Sequence, residues 1–230
     1  MPIDCNVFRA IPSSHPDFVM INLESFSVGP LGVNTSLIFN QNRAIVIDPG
    51  AETEKILKAL NGREVSAIIA THGHIDHIGQ VRTIKSLTNA PFYMHPEDIK
   101  LLQNTLWDGF DTLVGANLPC PEPDVELKDQ MVINFEGIEL LILHSPGHSP
   151  GLCCIYCPSE KFLIAGDLLF RGSVGRWDLP YSSLEDLRNS LKRILNQLPD
   201  DTKVITGHGP STTIGFEKRT NQLLLELTGY

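Results

Sequence analysis

The chain has 230 residues, long enough for one domain that hides roughly 70% of its unfolded surface without needing disulfides. Hydrophobic residues at 42% and charged residues at 20% exclude a disordered chain, a fibre and a membrane bundle. Eighteen Lys plus Arg against 27 Asp plus Glu leave a formal charge of −9, which lacks the basic footprint of a nucleic-acid binder.

No apolar run approaches the ~20 residues of a bilayer span, and Met1–Ala10 holds no stretch of signal-peptide length. Five cysteines, three of them crowded at Cys153, Cys154 and Cys157, fit a reducing cytoplasm. The expectation is one domain over residues 1–230, with 1–28 as an N-terminal extension or edge strand. Neither a membrane nor a nucleic acid is expected as a partner, and the oligomeric state stays open.

In chain order, Phe18–Val28, Val33–Phe39 and Arg43–Ile47 read as strands, the last closed by Asp48-Pro49-Gly50. Glu52–Asn61 predicts a short helix stopped by Gly62, and Val65–Ala70 a buried strand. Ile78–Thr88 predicts a helix with a partly apolar stripe. A strand at Phe92–His95 leads into a short helix from Pro96. Trp107–Asp129, with Pro119, Pro121 and Pro123, reads as a long loop.

Met131–Phe135 and Ile138–Leu143 predict a hairpin turning at Glu136-Gly137, followed by a strand pair at Leu152–Cys157 and Lys161–Ala165. Ser182–Leu198 is the clearest helix, with Ser182 and Glu185 as its expected capping box. A strand at Lys203–Thr206 and a helix at Phe216–Leu227 end the chain. Strands and helices alternate in both halves, so the fold class is α/β or α+β with helices covering sheets.

Four apolar strands run into loops rich in His, Asp and Gly: Thr71-His-Gly-His-Ile-Asp-His, His144-Ser-Pro-Gly-His-Ser-Pro-Gly, Gly166-Asp167 and Gly207-His-Gly-Pro. Sites in helix-covered sheets gather beyond strand carboxyl ends. On a helix His72 and His74 would point about 160° apart. On a strand Asp76 would lie about 13 Å from His72. Only a tight loop leading into a helix brings His72, His74, Asp76 and His77 together. Imidazole and carboxylate without thiolate suit Zn, Fe or Mn, and a bridging carboxylate suits a pair of metals. His148, Asp167 and His208 each have a bland reading as turn residues when taken singly. Together with the first loop they complete two coordination sets.

This order of motifs resembles the metallo-β-lactamase superfamily, with spacings most like glyoxalase II in its short single-domain bacterial form. The similarity runs from about Gly29 to the C-terminus and includes Asp48-Pro49-Gly50 and Gly175-Arg176-Trp177-Asp178. The resemblance implies a four-layer αββα sandwich with two divalent metal ions, Zn first and Fe or Mn as alternatives. It assigns His72, His74 and His148 to one metal and Asp76, His77 and His208 to the other, with Asp167 bridging. A hydroxide between the metals is then the nucleophile, oriented by the catalytic Asp76. Asp48 is expected behind a ligand histidine. Arg176 stands where glyoxalase II places a lysine for glutathione, which implies a substrate-binding role. Only Phe216–Leu227 stands in place of that enzyme's separate helical C-terminal region.

The implied activity is hydrolysis of a glutathione thiolester such as S-lactoylglutathione. The alternative is a persulfide dioxygenase of the same fold, using one iron on His72, His148 and Asp167; a lactonase or β-lactamase reading is weaker. Cys154 and Cys157 lie three apart on an apolar strand and so face opposite ways, which reads as core packing. His144 reads as a structural histidine, and His95 carries no signal.

Overall fold

Apolar residues at every position of a strand require that both of its faces be covered, and several strands here are of that kind. In the computed structural model, which describes residues 21–102, 112 and 114–230, they form two six-stranded sheets. The first has the order β1 (Asn22–Val28), β2 (Val33–Phe39), β3 (Arg43–Ile47), β4 (Glu64–Ile69), β5 (Phe92–Met94) and β6 (Val125–Glu126). It is antiparallel from β1 to β3 and parallel from β3 to β6.

The second sheet contains β7 (Val132–Phe135), β8 (Ile138–His144), β9 (Cys153–Cys157) and β10 (Phe162–Gly166). After a small ribbon of β11 (Leu169–Phe170) and β12 (Ser173–Val174), β13 (Lys203–Thr206) and β14 (Thr212–Thr213) complete it in the order β14-β13-β10-β9-β8-β7. Only β10 and β13 run parallel in this sheet.

The period of two sorts the side chains into layers. Ile38, Ile45 and Ile47 from the first sheet meet Leu140, Ile142, Ile155, Ile164 and Ile205 from the second in a central core. Their neighbours Leu37, Ala44 and Val46 turn outward onto Ile56, Leu60, Val81 and Ile84 of the helices Thr53–Leu60 and Val81–Thr88. Leu143, Leu163 and Val204 turn the other way, onto Leu187, Leu191, Ile194 and Leu195 of the helix Leu184–Gln197. The result is helix, sheet, sheet, helix: the αββα sandwich expected. Cys153 and Cys157 face the central core and Cys154 the outer one, and all three are free and buried.

Three local expectations are corrected. The helix foreseen over Ile78–Thr88 is two, Ile75–Ile78 and Val81–Thr88. They are separated because the Gln80 amide donates to the Pro49 carbonyl (2.8 Å) rather than along the helix. Ser183, not Ser182, caps the long helix, its hydroxyl accepting from the Asp186 amide at 3.2 Å. The last helix breaks at Asn221 into Ile214–Thr220 and Gln222–Thr228. Asn221 caps the second piece through Leu224 (3.0 Å) while its amide holds the carbonyl of Ser173 (3.0 Å), so the break ties these helices to β12. Residues 1–20, including the start of the first foreseen strand, and residues 107–111 and 113 of the stretch foreseen as a long loop lie outside the described residues. Val125–Glu126, within that stretch, adds a parallel edge to β5.

At the end of β5 the imidazole of His95 stacks on that of His144 (centroids 4.0 Å apart, planes 8° apart). Burial and His144 push the pKa of His95 down to about 4, although Glu97 and Asp129 pull the other way. The folded chain therefore resists a proton that the unfolded chain accepts near pH 6.5. The stability contributed at neutral pH should then fall as pH drops from about 6.5 towards 4. In urea midpoints measured across that range, His95→Phe should show a shallower decline than the wild type. An identical pH slope in the two proteins would contradict this assignment.

Candidate metal centre

Every ligand-type residue comes from the end of a strand. After β4 the chain passes through Thr71 and Gly73 in a tight turn, and His74 sits in extended backbone at the N-cap of Ile75–Ile78. Asp76 and His77 therefore lie in the first helical turn, facing back towards His72. His148 follows β8, Asp167 leaves β10 directly after Gly166, and His208 follows β13. A side chain at position 207 could not be accommodated, because its Cβ would stand 1.9 Å from Oδ1 of Asp167.

The structure brings all seven residues together. His74 Nδ1 lies 2.9 Å from His148 Nε2, and His77 Nε2 lies 3.3 Å from His208 Nε2. Asp76 Oδ2 is 3.2 Å from His208 Nε2. The Asp167 carboxylate stands between the groups, with Oδ1 3.4 Å from His77 Nε2 and Oδ2 3.4 Å from His148 Nε2. Donor atoms of His72, His74 and His148 lie within 4.8 Å of one another, as do those of Asp76, His77 and His208 and those of His72, His77 and Asp167.

The outer ring nitrogens explain why the inner ones face each other. Nδ1 of His77 meets Asp48 Oδ2 (2.9 Å), that of His148 the Arg176 carbonyl (2.9 Å), that of His208 the Leu31 carbonyl (3.0 Å) and that of His72 the Thr71 hydroxyl (3.1 Å). A proton held on Nδ1 leaves Nε2 as a lone pair aimed inward, the usual arrangement behind metal-bound histidine. Nε2 of His72 is buried with no hydrogen-bond partner among the described residues. An orphaned acceptor of this kind costs free energy unless something coordinates it.

The electrostatics agree. Burial, with His77 next, lowers His72 well below its ordinary pKa, and burial takes His74 down to about 3; neutral imidazole is the ligating form. Burial opposes charge on His77 and His208 too, yet the carboxylates around them prevail and raise both. Asp76 and Asp167 are held below the carboxylate range against their burial, chiefly by His77. Carboxylates that hold protons on neighbouring imidazoles mark a place of negative potential, and a divalent cation fits there.

The cluster forms the floor of a cavity of about 400 Å³, walled by Leu31, Ile75, Phe170 and Leu179 with Arg176 at its edge. The Arg176 guanidinium is exposed and paired with Asp178 through two bonds of 2.9 and 3.0 Å. Asp48 is buried; its carboxylate accepts from the Thr71 amide and hydroxyl, both at 2.7 Å, besides facing His77. Thr71, the apolar wall and the buried Asp98 were not foreseen. Only Thr71, as the neighbour of His72, carried a local signal.

Residues 28–208 match the metallo-beta-lactamase superfamily. Hydroxyacylglutathione hydrolase GloC of Haemophilus influenzae is 33% identical over 208 residues, covering 89% of this chain and 98% of that protein. Among solved structures, TTHA1623 in a di-iron-bound form is 40% identical with a TM-score of 0.77, covering 86% of this chain and 98% of that one. The B3 metallo-beta-lactamase BLEG-1 is 33% identical with a TM-score of 0.80, covering 88% and 99%. The chain belongs to the metallo-beta-lactamase superfamily, and its His/Asp cluster makes it a metal-dependent hydrolase of that fold. Among the described residues no helix is long and apolar enough to cross a membrane.

Proposed function

We propose that the chain is a binuclear thiolester hydrolase acting on a glutathione thiolester such as S-lactoylglutathione. The observation that carries this reading is the position of Asp167, a single carboxylate 3.4 Å from His77 and 3.4 Å from His148. His72, His74 and His148 would hold one divalent ion and Asp76, His77 and His208 the other, with Asp167 within reach of both sets. Zn is the first choice, with Fe or Mn as alternatives; TTHA1623 is a relative that binds two irons.

Two divalent cations held there would acidify a bound water towards neutrality and offer positive charge to the carbonyl oxygen under attack. The chain's own groups do the rest. Asp76, kept ionised by His77 and His208 against its burial, accepts a hydrogen bond from the attacking water and so orients it. Leu31, Phe170 and Leu179 exclude bulk water and cover the acyl and thiol arms. A thiolate leaves without strong protonation, so no general acid is needed on the far side.

The 33% identity to the hydroxyacylglutathione hydrolase GloC supports the choice of substrate. The one-iron dioxygenase reading uses only His72, His148 and Asp167. The assembled Asp76, His77 and His208 set is compatible with either reading, while Gly207-His208-Gly209-Pro210 favours the hydrolase.

The test is the metal-loaded chain with S-lactoylglutathione, following thiol release, beside glutathione persulfide with an oxygen electrode and a β-lactam. Thiol release abolished by chelation is expected. Oxygen uptake with the persulfide, or turnover of the β-lactam alone, would overturn the proposal. Arg176 at the cavity edge can meet a substrate carboxylate bidentately. Arg176→Ala should therefore raise KM for the thiolester by about 5- to 10-fold with a smaller fall in kcat. An unchanged KM would remove Arg176 from substrate binding.

A further inference from the structure

Asp98 lies in a short 3-10 turn, Pro96–Asp98, that follows β5, and it is fully buried. It is remote in sequence from every ligand-type residue and from every motif that marks them. Yet its carboxylate accepts three hydrogen bonds from the two loops that carry His72, His74 and His148. Oδ2 accepts from the Gly73 amide (2.8 Å) and the Ser149 hydroxyl (2.7 Å), and Oδ1 from the Gly151 amide (2.6 Å). Gly73 stands between His72 and His74, while Ser149 and Gly151 follow His148.

The packing is as close as the bonding. A Cβ at Gly73 would stand 2.9 Å from the Asp98 carbonyl oxygen, and one at Gly151 would stand 2.7 Å from its Cγ. Both glycines are thus required by the close approach of Asp98. On the far side of the cluster Asp48 does the corresponding work, fixing Thr71 and His77. Among the described residues no hydrogen bond joins Asp98 to His77, Asp76 or His208.

We infer that Asp98 is the positioning residue of the His72, His74 and His148 set, clamping two loops from different sheets at the separation that lets three imidazoles share one ion. The inference rests on the proposed two-metal reading. Three loop donors need three acceptor lone pairs, and an isosteric amide has one oxygen. In Asp98→Asn the NH2 must therefore oppose a donor, either the Gly151 amide or the pair at Gly73 and Ser149. The loops should part there, while the Asp76, His77 and His208 set keeps its own supports.

The experiment titrates the metal-free full chain with Co2+ and reads visible bands and stoichiometry, with His72→Ala and His77→Ala showing which binding step belongs to which set. For Asp98→Asn the step lost in His72→Ala should weaken by about 10- to 100-fold, with its bands altered. The step lost in His77→Ala should move by less than about threefold. Thiolester kcat should fall with KM little changed. Ser149→Ala removes one bond of the three and should weaken the same step by a smaller factor; it stands in if Asp98→Asn does not fold. Wild-type binding at both steps would overturn the inference. So would equal weakening of both, accompanied by a lower melting temperature of the metal-free chain, which is what a merely structural residue gives. A wild type that takes a single equivalent breaks the two-metal reading instead. In that case the inference stands if His72→Ala and Asp98→Asn both weaken that equivalent, and falls if Asp98→Asn leaves it unchanged.

Discussion

Asp167→Ala is expected to lose metal and hydrolysis together, with activity down by well over the ~100-fold typical of removing a group behind a ligand. Its carboxylate reaches His77 and His148 at 3.4 Å and His208 at 3.6 Å, so one substitution strips an anionic ligand from both proposed ions. It also removes the charge that most strongly favours the protonated form of buried His77. The variant should still fold, because the backbone of Asp167 rather than its side chain packs against Gly175, whose Cβ would stand 1.8 Å from the Asp167 carbonyl. Elemental analysis with a circular dichroism spectrum checks this. Two metals per chain with full activity would end the bridging assignment.

Asp48→Asn is the second large effect. Asp48 stands at φ 51°, a left-handed conformation that asparagine tolerates better than most residues, so the backbone cost of the change is small. The side chain is another matter, since both carboxylate oxygens accept from Thr71 and one also faces His77 Nδ1. An amide NH2 must turn either towards the Thr71 amide or towards the Thr71 hydroxyl and His77. In either case the hold on Nδ1 of His77 or on the turn before His72 is lost. Metal at Asp76, His77 and His208 should weaken by about 10- to 100-fold, while metal at His72, His74 and His148 is affected less. Competition with a chromophoric chelator measures both constants. Equal affinities in variant and wild type would show that Asp48 merely closes a strand.

The two charged supports differ in how legible they were. Asp48 follows a strand in an Asp-Pro-Gly turn beside recognisable motifs, and its place could be foreseen. Asp98 lies 25 residues from Gly73 and 51 from Ser149; the pairing of β4 with β5 sets it beside Gly73, and the packing of the two sheets brings the Ser149 loop to it. Long-range placement of this kind leaves no periodic trace. The ligand loops themselves were legible because His-x-His-x-Asp-His can converge only in one local geometry. The four layers were legible because residues alternate between two cores, as Leu37 and Ile38 do.

The missed breaks have a common cause. The Gln80 amide is taken by Pro49, and the Asn221 side chain by Ser173. Tertiary partners thus interrupted helices that the apolar stripe alone would continue. Arg176 shows the reverse: the motif suggested its side chain, while the contact that supports the cluster is its carbonyl, on His148.

The most direct test of the whole account is metal content per chain on the purified protein by elemental analysis, read alongside thiolester turnover. The arrangement around Asp167 predicts close to two divalent ions per chain and thiol release that disappears when they are chelated. Close to one iron per chain, with oxygen consumed when glutathione persulfide is supplied, would contradict it.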